Sequence, residues 1–394
     1  MQGIRSPPGD SSGFPAGILR RPDRRDQFSI AIVCALPLEY DAVTLLVDEF
    51  WDDTGDTYGR SVGDSNSYTT GRIGNHHVVV ALLPGIGKVN AAVAVAGLRA
   101  SYTNIKLTLL TGICGGVPIS GTRDEIVLGD VIVSDSLVQY DHGRLYPGVF
   151  ATRTGEGQNR SNADVRGLLA SLRTELGLER LQRRTSYFLL QLQHESLRKS
   201  RRDYQYPGAA SDRLFAPDHR HKHYGPCFCI CSQWKKLSDP VCQEVLSISC
   251  SETGCEIANV VSRRRLELRH AIEQQHSRVR AQDPLVFIGR IGSGDTVMKS
   301  GLDRDRIAKE HDIIAFEMEG AGLWEELPCL VVKGVCDYAD SHKDKAWQNF
   351  AAATAAATMK ALLEKYIHSD RYLKRKHPEM ENSVARGIPD HRYC

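Results

Sequence analysis

Apolar residues in this chain come in short continuous runs, separated by stretches in which they recur at helical spacing. The first run, FSIAIVCAL (28–36), shows no polar alternation, the pattern of a strand buried on both faces. PLEYDAVTLLVDEF (37–50) follows with helical periodicity and a proline suited to a first turn. SYTTGRIGNHHVVVALL (67–83) predicts two strands about a Gly-Asn turn, and GIGKVNAAVAVAGLRA (85–100) an alanine-rich helix opened by glycines. KLTLLTG (106–112) reads as another buried strand, and LGDVIVSDSLVQYD (128–141) as a strand running into polar residues. The rhythm is lost after about residue 150 and resumes at LVFIGRIGSGD (285–295). Helix 303–310, strand 312–316, helix 319–326, strand 328–335 and an alanine-rich helix near 346–366 complete it.

Buried strands alternating with amphipathic helices predict an α/β layered fold with a largely parallel, covered sheet. Residues 1–27, rich in Pro, Gly, Ser and Arg, read as a disordered leader, 28–366 as the folded domain and 367–394 as a polar tail. Within the domain, about 151–283 reads as an insert, with helices expected at 162–176 and 260–280.

Composition narrows the class. The hydrophobic fraction is 41%, the charged fraction 25% and the net charge +2, so charge gives no reason to expect nucleic-acid binding. Neither a membrane span nor a secretory signal is expected, and a cytoplasmic, mostly reduced protein fits the eleven cysteines. Cys34, Cys114, Cys329 and Cys336 lie inside apolar runs, where a thiol packs as a small hydrophobe.

In layered α/β folds ligands gather beyond the carboxyl ends of the strands. The residues there are Glu39, the turns 85–88 and 112–116, Asp135, Asp295, Glu317, Glu319 and Asp337. GIGKVN is no phosphate loop, because Leu82 and Val89 stand where that motif needs Gly and Ser or Thr. GRIGSGD lacks a dinucleotide fingerprint. Glu317 and Glu319, in FEMEGAGLW, could simply cap a helix, and Glu39 could be a solvated helix residue. In the insert, HRHKH (219–223) precedes Cys227, Cys229 and Cys231. His223 with these three thiols is a candidate zinc site, although the Cys-x-Cys-x-Cys spacing lacks paired knuckles.

GIGKVNAA, TGICGG, LGDVIVSD, SGDTVMK, FEMEGAG and VVKGVCDYAD, in this order, resemble the motifs of the nucleoside phosphorylase and nucleosidase superfamily. CDYADSHKDKAWQNFAAATAAA and HRHKH particularly resemble its fungal branch, often fused to ankyrin or NLR-type modules. The resemblance implies a three-layer phosphorylase-like fold, with a mixed, largely parallel central sheet flanked by helices. It also implies cleavage of the N-glycosidic bond of a purine nucleoside or nucleotide without a cofactor, in a homo-oligomer that engages neither nucleic acid nor membrane. Glu319 matches the glutamate that accepts ribose hydroxyls, Met318 the methionine on the sugar, and Asp337 the aspartate that handles a proton at purine N7. Val297 and Met298 fall in the base-pocket segment, where an aromatic is often found. Glu317, Gly115, Gly116, Gly87 and Lys88 are further binding candidates, and Lys88, Arg144, Lys299 and Lys333 could meet phosphates. Glu39 matches the water-activating glutamate of the nucleosidases, where phosphorylases place a phosphate-gripping arginine turn. Hydrolysis is therefore the expected reaction, with phosphorolysis and a catalytically silent nucleoside-binding scaffold as alternatives.

Overall fold

The structure is a computed structural model, and it describes residues 20–366 apart from 56, 119–124, 153–162, 225–228, 256–258, 276–277 and 325. The leader up to residue 19, the tail from 367 and Cys227 lie outside the described residues. Residues 20–27 are ordered: Arg21 donates to Tyr58 and Thr57, and Tyr58 donates to the Pro22 carbonyl.

The first half contains β1 (Ile30–Cys34), α1 (Pro37–Thr44), β2 (Glu49–Phe50), β3 (Tyr68–Ile73), β4 (His76–Leu82), α2 (Lys88–Ser101), β5 (Leu107–Gly116) and β6 (Val131–Gln139). An exposed hairpin, β7 (Gly143–Tyr146) and β8 (Val149–Thr152), leads to α3 (Ala163–Leu172) and the 24-residue α4 (Glu175–Arg198). The next stretch has little regular structure beyond α5 (Cys250–Thr253), α6 (Arg264–Gln275) and α7 (Arg278–Ala281). The chain finishes with β9 (Val286–Ser293), α8 (Gly301–His311), β10 (Ile313–Glu317), α9 (Gly320–Trp324), β11 (Cys329–Asp337) and α10 (Gln348–Lys365).

Nine strands form one mixed sheet in the order β10-β9-β6-β11-β5-β1-β4-β3-β2. The pairs β1–β4, β1–β5, β5–β11, β6–β9 and β9–β10 are parallel. Strand β10 also pairs antiparallel with the end of β5, Ala315 opposite Gly116 and Phe316 opposite Gly115. That second pairing closes β5, β11, β6, β9 and β10 into a ring, so the ends of β5, β10 and β11 must converge. The architecture is the phosphorylase-like α/β fold, with a mixed, helix-flanked sheet.

The strongly apolar strands are central ones: every residue of β1 is buried between β4 and β5. Helix α10 is buried nearly all round, which accounts for its alanines: small side chains let it sit close to the sheet and to α4. On one side Thr185 of α4 donates to Thr358. On the other, the Ala351 carbonyl stands 1.9 Å from where a Cβ on Gly334 would lie. Helix α4 falls in the span read from sequence as an insert, yet its apolar face packs into the main core. The expected single helix 162–176 is broken at residues 173–174, and within the expected helix 260–280 the described helical residues are 264–275 and 278–281.

At Gly334 the α10 backbone comes too close to the sheet for a side chain, and the neighbour there is backbone that cannot move aside. Gly334→Ala is expected to destabilise the fold by about 1–3 kcal/mol or more. A urea midpoint equal to that of the wild type contradicts this packing.

Candidate active site

A cavity of about 260 Å³ opens at the converged strand ends. Its wall takes Glu39 from α1, Ile113 to Gly115 from β5, Phe316 to Glu319 from β10 and the turn beyond it, and Cys336 and Asp337 from β11. Ile86, the 296–298 segment, Lys343 and Gln348 complete it.

Glu39 is placed by the start of α1. Pro37 begins the helix, and the Glu39 side chain folds back to accept from Ala35 N–H at 2.8 Å and Leu36 N–H at 2.9 Å. Its other oxygen accepts from Ile113 N–H at 2.8 Å, which joins α1 to β5. The carboxyl occupies the space of a missing side chain, since a Cβ on Gly112 would lie 2.1 Å from Oε1. Only 2% of the residue is exposed, which rules out the solvated-helix alternative. Burial pushes its pKa up, and the Glu319 charge adds to this; Lys333 and the backbone donors act in the opposite direction.

The two glutamates of FEMEG separate by role. Glu317 accepts from Glu319 N–H at 3.0 Å and from Gly320 N–H at 2.8 Å, so it caps the turn into α9. Glu319 accepts from the Lys333 ammonium at 3.1 Å and, through its other oxygen, from Gly87 N–H at 3.4 Å. Lys333 points from the middle of β11 with 1% of its side chain exposed. Burial opposes its charge, but Glu319, Glu39 and Glu317 together hold its pKa above the ordinary lysine value. Glu317 is pushed up by burial and by Glu319, with Lys333 opposing.

Asp337 ends β11 and lines the same cavity. Its Oδ1 accepts from Ala339 N–H at 2.9 Å and pairs with Lys343 at 3.2 Å. Burial disfavours the Lys343 charge, but Asp337, Cys336 and Asp340 together hold its pKa above the ordinary lysine value. The loop behind Asp337 is anchored by Arg304, which donates to the Tyr338 carbonyl at 2.8 Å, and by a buried Asp212–Arg263 ion pair that holds the Tyr338 hydroxyl.

Residues 29–210 match the family model described as Phosphorylase superfamily. A "Nucleotide-binding leucine-rich repeat (NLR)-like protein" of the fungus Hyaloscypha variabilis is 30% identical over 353 residues, covering 88% of this chain and 30% of that protein. Over residues 29–210 the chain is thus similar to the phosphorylase superfamily. A 5'-methylthioadenosine/S-adenosylhomocysteine nucleosidase of Mycobacterium bovis is 29% identical over 117 residues, covering 30% of this chain and 40% of the relative. The matches thus span well under two thirds of these relatives' lengths. Among solved structures, the S-adenosylhomocysteine nucleosidase of Streptococcus pyogenes with 5-methylthiotubericidin is 16% identical, with a TM-score of 0.48. It covers 87% of this chain and 98% of that chain, and so loose a likeness carries no argument about the site.

Glu39, Glu317, Met318, Glu319, Asp337, Gly115, Val297 and Met298 line one cavity. Four expectations are corrected. Gly116 pairs with Ala315, and a Cβ there would meet Val335 of the sheet rather than the cavity. Gly87 contributes its backbone N–H, while Lys88 turns away to Asp141 at 2.7 Å and Asp295 at 3.5 Å. Lys333, offered for phosphate, is consumed by Glu319. Asp135 lies within β6 and pairs with Arg173 outside the cavity. Phe316, Ile86, Lys343 and Gln348 were missed. For Lys333 a signal existed, since a lone lysine inside CLVVKGVCD must find a buried counter-charge. Lys343 carried none, as it sits in a polar loop among other charges.

Glu39 and Glu317 titrate above the ordinary glutamate value of 4.5. As pH rises from there to their native values, the folded protein holds protons that the unfolded chain has released, so these groups make stability fall with pH. Glu39→Gln is expected to flatten that decline while lowering stability overall, because an amide cannot accept from three N–H groups. Urea midpoints from about pH 4.5 to 8 measure this. Parallel slopes in the two proteins contradict it.

Proposed function

We propose that this chain hydrolyses the N-glycosidic bond of a purine nucleoside. The observation that carries the reading is the meeting of Glu39, Met318–Glu319 and Asp337 in a single cavity where the strand ends converge. Cleavage passes through an oxocarbenium-like ribose, which requires the sugar to be held, the base protonated and water deprotonated. Glu319, held in place by Lys333, accepts hydrogen bonds from the ribose hydroxyls, and Met318 packs on the sugar. Asp337 takes up a proton from solvent and passes it to the purine as the bond breaks, with Lys343 beside it. Glu39, its burial favouring proton uptake, accepts the proton of the attacking water.

Two features favour hydrolysis over phosphorolysis. Among the described residues lining the cavity the one cation is Lys343, and it is paired with Asp337. Glu39 also sets a carboxyl where phosphate would have to approach. The cavity is small for a ligand site, which ordinarily has about 300–1,000 Å³, and this favours a nucleoside over a triphosphate. The activity named for the mycobacterial relative is of the same class. No cofactor enters the proposed reaction, and the expected homo-oligomer is a matter for sedimentation.

Product analysis with adenosine, inosine, methylthioadenosine and ATP, with and without phosphate, tests the reaction. Free base and free sugar are expected; ribose 1-phosphate overturns hydrolysis, and binding without base release points to the silent scaffold. Asp337→Asn should lower kcat by about 10²–10⁴. Glu319→Gln should cost about ten- to a hundredfold, the worth of charge-assisted hydrogen bonds to the sugar. Unchanged turnover in either variant removes that residue from the mechanism.

A further inference from the structure

The segment between α4 and α6 holds more soft ligand atoms than its packing uses. Its own core is slight: Cys231, Cys242 and Val245, with Cys229 and Trp234 partly buried against them. Much of the rest hangs on side chains bound to backbone, such as Arg220 on the carbonyls of Lys236, Asp239 and Pro240. So small a core seldom orders a loop unaided. Within this region His and Cys gather into two groups of four, His221–Cys250–Cys255–His342 and His223–Cys229–Cys231–Cys242, with ligand atoms in each group within 4.8 Å of one another.

We propose that these two groups are structural zinc sites, one Cys2His2 and one Cys3His. In a tetrahedral zinc site with Zn–S of about 2.3 Å and Zn–N of about 2.0–2.1 Å, sulfur and nitrogen stand about 3.6 Å apart and two sulfurs about 3.8 Å apart. In the first group His221 Nδ1 is 3.3 Å from Cys255 Sγ and 3.7 Å from Cys250 Sγ. His342 Nδ1 is 3.4 Å from Cys250 Sγ and 3.7 Å from Cys255 Sγ. All four edges have the tetrahedral length. In the second, Cys229 Sγ is 3.3 Å from Cys231 Sγ and 3.7 Å from Cys242 Sγ, and His223 Nδ1 is 3.2 Å from Cys231 Sγ. These sulfur separations are far beyond the disulfide length of about 2.05 Å.

The imidazoles of the first group supply an independent observation. His221 Nε2 lies 2.9 Å from the Ile248 carbonyl and 3.1 Å from that of Val245, and His342 Nε2 lies 3.0 Å from the His219 carbonyl. A carbonyl can only accept, so both Nε2 atoms carry the proton and both Nδ1 lone pairs face the thiols. This is how ligating histidines are held in metalloproteins, with the distal N–H fixed on a carbonyl.

The two sites are nested along the chain. The second closes 223–242, inside the loop that the first closes between 221 and 255. His342 comes from elsewhere: it lies in the loop that follows Asp337 at the end of β11, and its neighbour Lys343 pairs with Asp337. The first zinc therefore staples the insert to the loop at the cavity rim. Cys227, a candidate from the sequence, lies outside the described residues; Cys242 joins His223, Cys229 and Cys231 in the second set.

The assignment stands apart from the nucleosidase reading, and metal content tests it without an activity assay. Full-length protein purified without added metal should carry two zinc ions per chain by elemental analysis. Cys255→Ser and Cys231→Ser should each reduce this to one, and the double variant to none. Chelation of the wild type should speed hydrogen exchange in 338–344, while Cys231→Ser, which spares the first site, should not. Protein that folds without bound zinc overturns the proposal. So do single variants that keep both ions, or disulfides among these cysteines by mass spectrometry of the unreduced chain.

Discussion

A single buried ammonium organises the floor of the cavity. Lys333 projects from an otherwise apolar strand into a space shared by Glu39, Glu317 and Glu319, all nearly sealed from water. Three carboxylates without that charge would repel one another in a medium that cannot solvate them. With it, Glu319 is held at 3.1 Å, while Glu39 and Glu317 satisfy their oxygens on backbone N–H groups. Removing one partner of such a buried group ordinarily costs about 3–5 kcal/mol, because the other is left unpaired. The cluster is therefore a constraint on α1, β5, β10 and β11 together, and it sets where each carboxylate faces.

The cavity wall at Asp337 is governed differently. Asp337 ends β11, and the loop that follows it takes its position from outside the sheet. Arg304 of α8 holds the Tyr338 carbonyl, Asp212 and Arg263 hold its hydroxyl, and His342 reaches into the His/Cys group. Most of these partners lie in the stretch with the least regular structure. Residues that look like a loose insertion thus position the group assigned to the leaving base, and rigid pairing substitutes for a core.

Most of the sheet was legible in the chain because central strands are apolar on both faces and leave an unmistakable run, as IAIVC and CLVVKGVCD do. The site was partly legible for a related reason: acids at strand ends stand out against such runs. Helix α4 was not, since only its apolar face marks it and its polar residues merge with the Arg- and Gln-rich surroundings. Nor was the division of labour in FEMEG. Two acids two residues apart look equivalent until the turn into α9 gives Glu317 the free N–H groups and leaves Glu319 to Lys333.

By itself the sequence determined that strands and helices alternate, that the strand ends are acidic, and that His and Cys concentrate in one region. These are local properties, written in periodicity and composition. Tertiary structure alone decided which acids share a cavity, that Lys88 and Asp135 turn away from it, and that Cys242 and His342 join the soft-ligand groups. The reason is that partner choice depends on distances across the fold. The pairing of β10 with the end of β5, 200 residues apart in the chain, has no signature in either strand.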